Sequence, residues 1–115
     1  MTSAMPLQES EYRALIQASF DRVYKALDPV DPDIVEAELS QGTLTLRLAN
    51  GTRCILSGQP PVRQLWLAVA SKGRAFHFDF DRTSGQWRDD KGEGIELYAY
   101  LEGLLHEEAG LSVKI

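Results

Sequence analysis

Apolar and polar residues alternate through the middle of this chain and recur at helical spacing near its two ends. Tyr12, Leu15, Ile16, Ser19, Val23, Ala26 and Leu27 form one apolar stripe, which predicts an amphipathic helix over 10–27. Ser10 is placed to cap it, and Glu11 falls in the first turn, where a carboxylate opposes the helix dipole. Asp28-Pro29 and Asp31-Pro32 end the helix, because a residue before proline avoids the helical region. The period then changes to two. In 34–39, Val35, Ala37 and Leu39 alternate with Glu36 and Glu38. After a tight turn at Gln41-Gly42, Leu44, Leu46 and Leu48 alternate with Thr43, Thr45 and Arg47. Asn50-Gly51 is a strong hairpin signal, and the strand returning over 52–57 turns Cys54 and Leu56 inward.

Residues 57–61 read as a loop. The next strand, to Val69, sends Leu65, Leu67 and Val69 one way and Gln64, Trp66 and Ala68 the other. Lys72-Gly73 turns the chain. In 75–80, Phe76, Phe78 and Phe80 face inward while Ala75, His77 and Asp79 face out. Ser84-Gly85 turns it again before a short strand, 86–88, with Trp87 inward; 89–92 is a polar turn. A second helix is predicted over 93–109, with Leu97, Leu101, Leu104 and Leu105 as its stripe and Gly110 as its C-terminal cap. The tail 111–115 alternates and is able to lie along the body.

Short connections between consecutive strands imply an antiparallel sheet. The expected fold is α+β, a two-layer sandwich with two helices on one face of a five- to six-stranded antiparallel sheet. Residues 1–115 form one domain in this reading, with a flexible N-terminus over 1–9. The other face of the sheet is left open and carries Glu36, Glu38, Thr43, Thr45, Arg47, Gln64, Trp66, His77 and Asp79. No predicted element remains to cover Trp66. It either packs sideways on Arg47, Arg63 or His77, or serves as the aromatic anchor of an interface.

A content of 43% apolar and 25% charged residues is ordinary for a globular protein. No apolar run is long enough for a membrane span, and the first residues resemble neither a signal nor a transit peptide. A lone cysteine, Cys54, forbids an internal disulfide and fits a reducing, cytoplasmic setting. The placement of charge says more than the net value of -5. Residues 1–41 carry eight acids and three bases, whereas the rest carries nine of each. Residues 26–46 hold Asp28, Asp31, Asp33, Glu36 and Glu38 with no Lys or Arg. Nucleic acid needs a basic face and is excluded as a partner; a cation or a basic protein surface fits.

Carboxylates are hard donors suited to Mg²⁺, Ca²⁺, Mn²⁺ or Fe²⁺. Glu36 and Glu38, two apart on a strand, are about 7 Å apart by strand rise, too far to chelate one ion unaided. Weak, labile and partly hydrated binding is the expectation. The plain alternative is a solvated, aggregation-resistant sheet edge. No nucleophile or acid–base pair gathers around His77, and His106 falls on the polar side of its helix, so no catalytic residue is expected. Cys54 reads as a small buried hydrophobe.

The order helix, antiparallel sheet, helix resembles the frataxin family. The resemblance is carried by Asn50-Gly51, by Gln59-Pro60-Pro61 leading into Gln64-Leu65-Trp66-Leu67-Ala68, by Phe76-His77-Phe78-Asp79, by Trp87, and by Glu108-Ala109-Gly110 at the end of the second helix. It covers residues 10–115 and is nearest to the bacterial members. It implies a non-enzymatic, iron-binding modulator of iron–sulfur cluster assembly, acting as a monomer on a cysteine desulfurase and its scaffold protein. It also implies an acidic ridge that binds iron loosely at Asp21, Asp28, Asp31, Asp33, Glu36 and Glu38. Partner contact would fall on Trp66, Gln64, Glu36 and Glu38. Tyr24 and Lys25 stand where many bacterial members carry acids, and Lys25 is spaced to pair with both Asp21 and Asp28. A ferroxidase-like iron store and an acidic interaction module with no metal role are the alternatives.

Overall fold

The computed structural model describes residues 7–115; the greater part of the expected flexible N-terminus lies outside the described residues. Helix α1 spans Glu9–Leu27. Six strands follow: β1 Val35–Ser40, β2 Thr43–Leu48, β3 Arg53–Gln59, β4 Gln64–Val69, β5 Arg74–Asp81 and β6 Gln86–Asp89. Helix α2, Leu97–Ala109, comes last. The sheet is a meander in which each strand pairs antiparallel with the next, in the order β1-β2-β3-β4-β5-β6. The upper strand number of the expectation is the observed one.

Both helices lie on one face. Tyr12, Ile16, Phe20, Val23 and Leu27 of α1 and Leu97, Leu101, Leu104 and Leu105 of α2 meet the inward residues of the sheet in one buried cluster. The alternation explains the sheet half: Leu44, Leu46, Leu56, Leu65, Leu67 and Phe78 are wholly shielded, while their neighbours along each strand face solvent. Cys54 is buried among them, and burial pushes its thiol up to about 11. The tail follows the expected course. Leu111, Val113 and Ile115 pack against the core, Ile115 N–H donates to Glu102 Oε2 at 2.8 Å, and Arg22 Nη2 of α1 donates to Ile115 O at 2.9 Å.

Several boundaries differ from the expectation, each for a local reason. Gln8, not Ser10, is the N-cap of α1; its N–H faces Glu11 Oε1 at 3.4 Å, so Ser10 sits inside the first turn. Residues 57–59 are strand, not loop, because the β3–β4 ladder continues to Gln59↔Gln64. The connection is a single tight turn over Pro60–Val62, closed by Arg63 in the left-handed region at φ 52°. Helix α2 starts at Leu97 instead of 93. The Asp89 carboxylate accepts the N–H groups of Lys91, Glu93 and Ile95, which holds that segment in a non-helical loop. Glu96 then caps the helix by accepting from Tyr98 and Ala99. Leu39, expected inward, is 40% exposed at the end of the edge strand. Phe20 is a core residue that the predicted stripe omitted. Among the described residues no helix is long and apolar enough to cross a membrane.

Candidate functional site

Two surfaces carry the candidate residues. The first is the acidic edge where α1 ends and β1 begins. Asp28 follows the last turn of α1, with its N–H on Lys25 O at 3.3 Å; two prolines then steer the chain around into the edge strand. Asp31 Oδ1 accepts Asp33 N–H at 2.9 Å, and Asp31 O accepts Ile34 N–H at 2.8 Å, which fixes the turn into β1. Asp28, Asp31, Asp33, Glu36 and Glu38 are all exposed. Asp28 and Glu36 line one cleft of about 150 Å³, floored by Tyr24, Leu27, Val30 and Pro32.

The six expected ridge acids are not equivalent. Asp21 is half-buried and accepts from Gln17 Nε2 at 3.0 Å. Lys25 forms no ion pair with Asp21 or Asp28 among the described residues, although its spacing allows both. Glu38 is paired with Arg47, Nη1 to Oε1 at 2.8 Å, across the β1–β2 ladder. Arg47 stands directly opposite Glu36 in register, yet reaches diagonally to Glu38. Asp28, Asp33 and Glu36 therefore keep carboxylates with no cation against them, among the described residues. No three His, Cys, Asp or Glu side chains gather closely enough to hold a metal ion among the described residues. The oxygen donors suit a hard cation, but the arrangement supplies one or two carboxylates per ion and leaves the remaining positions to water.

The second surface is the open face of the sheet. Trp66 and His77 are paired across β4 and β5, and their rings stack with centroids 4.2 Å apart and planes 15° apart. Gln64 is the hub beside them. Its Oε1 accepts Trp66 Nε1 at 2.8 Å, and its Nε2 donates to Asp79 Oδ1 and Asp90 Oδ2, each at 3.0 Å. Asp90 Oδ2 also lies 3.7 Å from His77 Nδ1. From the helix side, Tyr12 Oη donates to Gln64 O at 2.6 Å and accepts Gln59 N–H at 2.7 Å, pinning both ends of the Pro60–Val62 turn. The indole is thus stacked on His77 and half-buried, and no helix among the described residues covers it.

Asp90 belongs to this network and was expected only as part of a polar turn. Its N–H donates to His77 O, so it extends the sheet beside β5. Only the β5–β6 register reveals this, and alternation within one strand cannot. A third part of the open face is apolar: Ile55, Ala68 and Ala75 lie side by side across three strands, between Arg53 and Arg74.

The frataxin-like domain family matches residues 5–111 of the chain. The iron-sulfur cluster assembly protein CyaY of Pseudomonas fluorescens is 41% identical over 106 residues, covering 92% of this chain and 93% of that protein. The same-named protein of Pseudomonas aeruginosa is 41% identical over 108 residues, covering 94% and 96%. Among solved structures, frataxin from Psychromonas ingrahamii superposes with a TM-score of 0.82 at 24% identity, over 93% of this chain and 96% of that one. A trimeric frataxin from Saccharomyces cerevisiae, complexed with ferrous iron, superposes with a TM-score of 0.62 at 24% identity, over 96% and 92%.

Proposed function

This chain is a member of the frataxin family, and we propose that it modulates iron–sulfur cluster assembly by docking on the cysteine desulfurase and scaffold complex with iron loosely held at its acidic edge. The observation that carries this reading is the row of exposed carboxylates at Asp28, Asp31, Asp33 and Glu36, faced by no Lys or Arg of its own segment. Bacterial relatives at 41% identity are named as iron-sulfur cluster assembly proteins, which supports the process. The ferrous complex of the yeast protein supports iron as the cargo. The chemistry expected of this chain is holding and presenting, with no catalytic step.

In this reading Asp28 and Glu36, which share a cleft, hold a hydrated ferrous ion through one oxygen each, and Asp31 and Asp33 raise its local concentration. The same carboxylates meet a basic patch on the desulfurase. Iron and partner then compete for, or share, one surface, which makes the docking responsive to iron. Trp66, oriented by Gln64 and His77, provides the rigid aromatic contact on the open face for the scaffold protein. The domain acts as a cytoplasmic monomer.

Charge reversal at Asp31, Asp33, Glu36 and Glu38 tests the docking. Binding to the desulfurase is expected to disappear; unchanged affinity sinks the reading. An anaerobic Fe²⁺ titration followed by amide NMR tests the metal. Selective broadening over residues 28–38 supports it, whereas no selective change at millimolar iron leaves an acidic docking module with no metal role.

A further inference from the structure

The outer edge of β1 offers more than charge. Leu48 donates its N–H to Thr52 O, away from β1, so Val35 and Leu48 are a non-hydrogen-bonded pair of the β1–β2 ladder. Alternation then gives the ladder bonds to Glu36, Glu38 and Ser40, and turns the N–H and C=O groups of Val35, Ala37 and Leu39 outward. Val35 N–H is taken by Asp31 O at 3.2 Å. Among the described residues nothing takes the N–H of Ala37 or of Leu39.

The two faces of this free edge differ in chemistry. On the helix side the cleft of about 150 Å³ runs along it, with an apolar floor of Tyr24, Leu27, Val30 and Pro32 and Asp28 at its margin; Leu39, at 40% exposure, lies further along the edge. Glu36 and Glu38 alternate toward the open side, Glu36 also lying at the rim of the cleft. A strand laid against β1 has side chains on both faces in alternation.

We propose that β1 accepts an extended segment of a partner protein as an added strand at the end of the six-stranded sheet, and that this segment alternates apolar and basic residues. Its apolar residues face the cleft, and its Lys or Arg residues stand opposite Glu36 and Glu38. A second copy of this chain is the wrong occupant. In an antiparallel pairing of β1 with itself about Ala37, Glu36 of each copy faces Glu38 of the other; one Arg47 per copy serves two glutamates, so the paired strands keep an excess of like charge, which is destabilising. The same glutamates that repel a copy select a basic strand. This deepens, and rests on, the proposed docking at the acidic edge, giving that docking a backbone component.

The pairing makes a specific demand. Residues opposite Val35, Ala37 and Leu39 share their face and bond to them, so the apolar residues of the incoming segment supply the amides. The test uses the whole chain and a short peptide of alternating valine and lysine, with a scrambled peptide of the same composition as control. Two further peptides carry N-methyl groups on the valine amides or on the lysine amides. The alternating peptide is expected to slow hydrogen exchange at Ala37 and Leu39 by about tenfold or more at saturation. N-methylation of the valines should weaken binding by at least about tenfold, and N-methylation of the lysines should leave it largely intact. Equal binding of the alternating and scrambled peptides, with no protection of Ala37 and Leu39, overturns strand addition but leaves charge-based docking standing. Absence of any binding also overturns it, while the charge-reversal assay with the desulfurase judges the docking separately. Protection that grows with protein concentration alone overturns it in favour of self-association.

Discussion

The indole of Trp66 lies flat on the imidazole of His77, 4.2 Å between centroids, and its Nε1 is tied to Gln64 Oε1 at 2.8 Å. All three side chains belong to the open face of the sheet, so the orientation of Trp66 owes nothing to the helical layer. Trp66→Ala should therefore fold. It loses a stacked pair worth about 1 kcal/mol, visible in a urea melt. If Trp66 anchors the scaffold protein, affinity for that partner should fall by about thirtyfold or more. Loss of the folded state at room temperature would place the indole in the core and overturn its role as a contact.

The other tryptophan behaves oppositely. Trp87 Nε1 donates to Ser19 Oγ at 2.7 Å inside the core, and Ser19 Oγ donates on to Leu15 O at 2.9 Å. Ser19 is 3% exposed, a polar residue in an apolar stripe with a partner on each side. Ser19→Ala leaves the Trp87 N–H buried without an acceptor, which should cost about 1–3 kcal/mol in chemical denaturation. Near-ultraviolet circular dichroism of Trp87 should change, while the stacked Trp66 pair is untouched.

Ser19 also shows what was legible in the sequence. Its place in the stripe followed from helical spacing, but its partner lies 68 residues away and no local pattern points to it. The same division runs through the site. Alternation put Gln64, Trp66, His77 and Asp79 on one face, and all four are there. It could not bring in Asp90, whose place depends on how β6 is paired, nor assign Arg47 to Glu38 instead of the directly opposite Glu36. The late start of α2 was hidden for a related reason. Residues 93–96 carry no strong helix stop beyond Gly94, and what keeps them out of the helix is the Asp89 carboxylate reaching forward along the chain.

Alkaline pH should destabilise the fold through two buried acids. Burial pushes the Cys54 thiol from its ordinary value of 9.0 up to about 11, with Glu108 adding to the shift. Burial also raises the Tyr12 hydroxyl, against the opposing effect of its hydrogen bond from Gln59. Below the ordinary thiol value both folded and unfolded chains are protonated, and the stability is fully present. Above it the unfolded chain loses its proton first, so stability falls as pH rises toward about 11, by at most about 1.4 kcal/mol per pH unit for one group. Urea midpoints measured from pH 8 upward should trace this decline, and Cys54→Ala should flatten its thiol component. A thiol reagent at neutral pH should react with Cys54 only on unfolding.

Acid pH should act through carboxylates that the fold holds in their charged form. Asp89 lies below the usual carboxylate range because it accepts backbone N–H groups, that of Glu93 foremost, and Glu11 lies low because the Arg82 guanidinium bonds to it. Their stabilising effect is present above the ordinary carboxylate value and is lost as pH falls through the lowered one. Asp89→Asn should weaken the loop before α2 at neutral pH and shrink the acid-induced loss of stability. Melting curves of the variant and the parent, taken between neutral pH and pH 3, should converge as pH falls.

Arg47 decides how much of the acidic edge is free. It neutralises Glu38 at 2.8 Å, leaving Glu36 and Asp28 to face the shared cleft. Both members of the pair are largely exposed, so the bond should contribute less than about 1 kcal/mol to stability. Arg47→Gln should therefore leave the melt nearly unchanged while releasing a second carboxylate beside Glu36. Affinity for a hard divalent cation should then rise by up to about fivefold, the equivalent of one exposed ion pair. In the parent protein, Glu38→Gln should hardly change cation binding, whereas Glu36→Gln and Asp28→Asn should weaken it. In the Arg47→Gln background, Glu38→Gln should cancel the gain, because the two changes act on one pair. Paramagnetic broadening during a Mn²⁺ titration reads the parent and its five variants on one scale. Equal losses for Glu36→Gln and Glu38→Gln in the parent would mean that Arg47 does not hold Glu38 in solution, and the ranking of the edge acids would have to be redrawn.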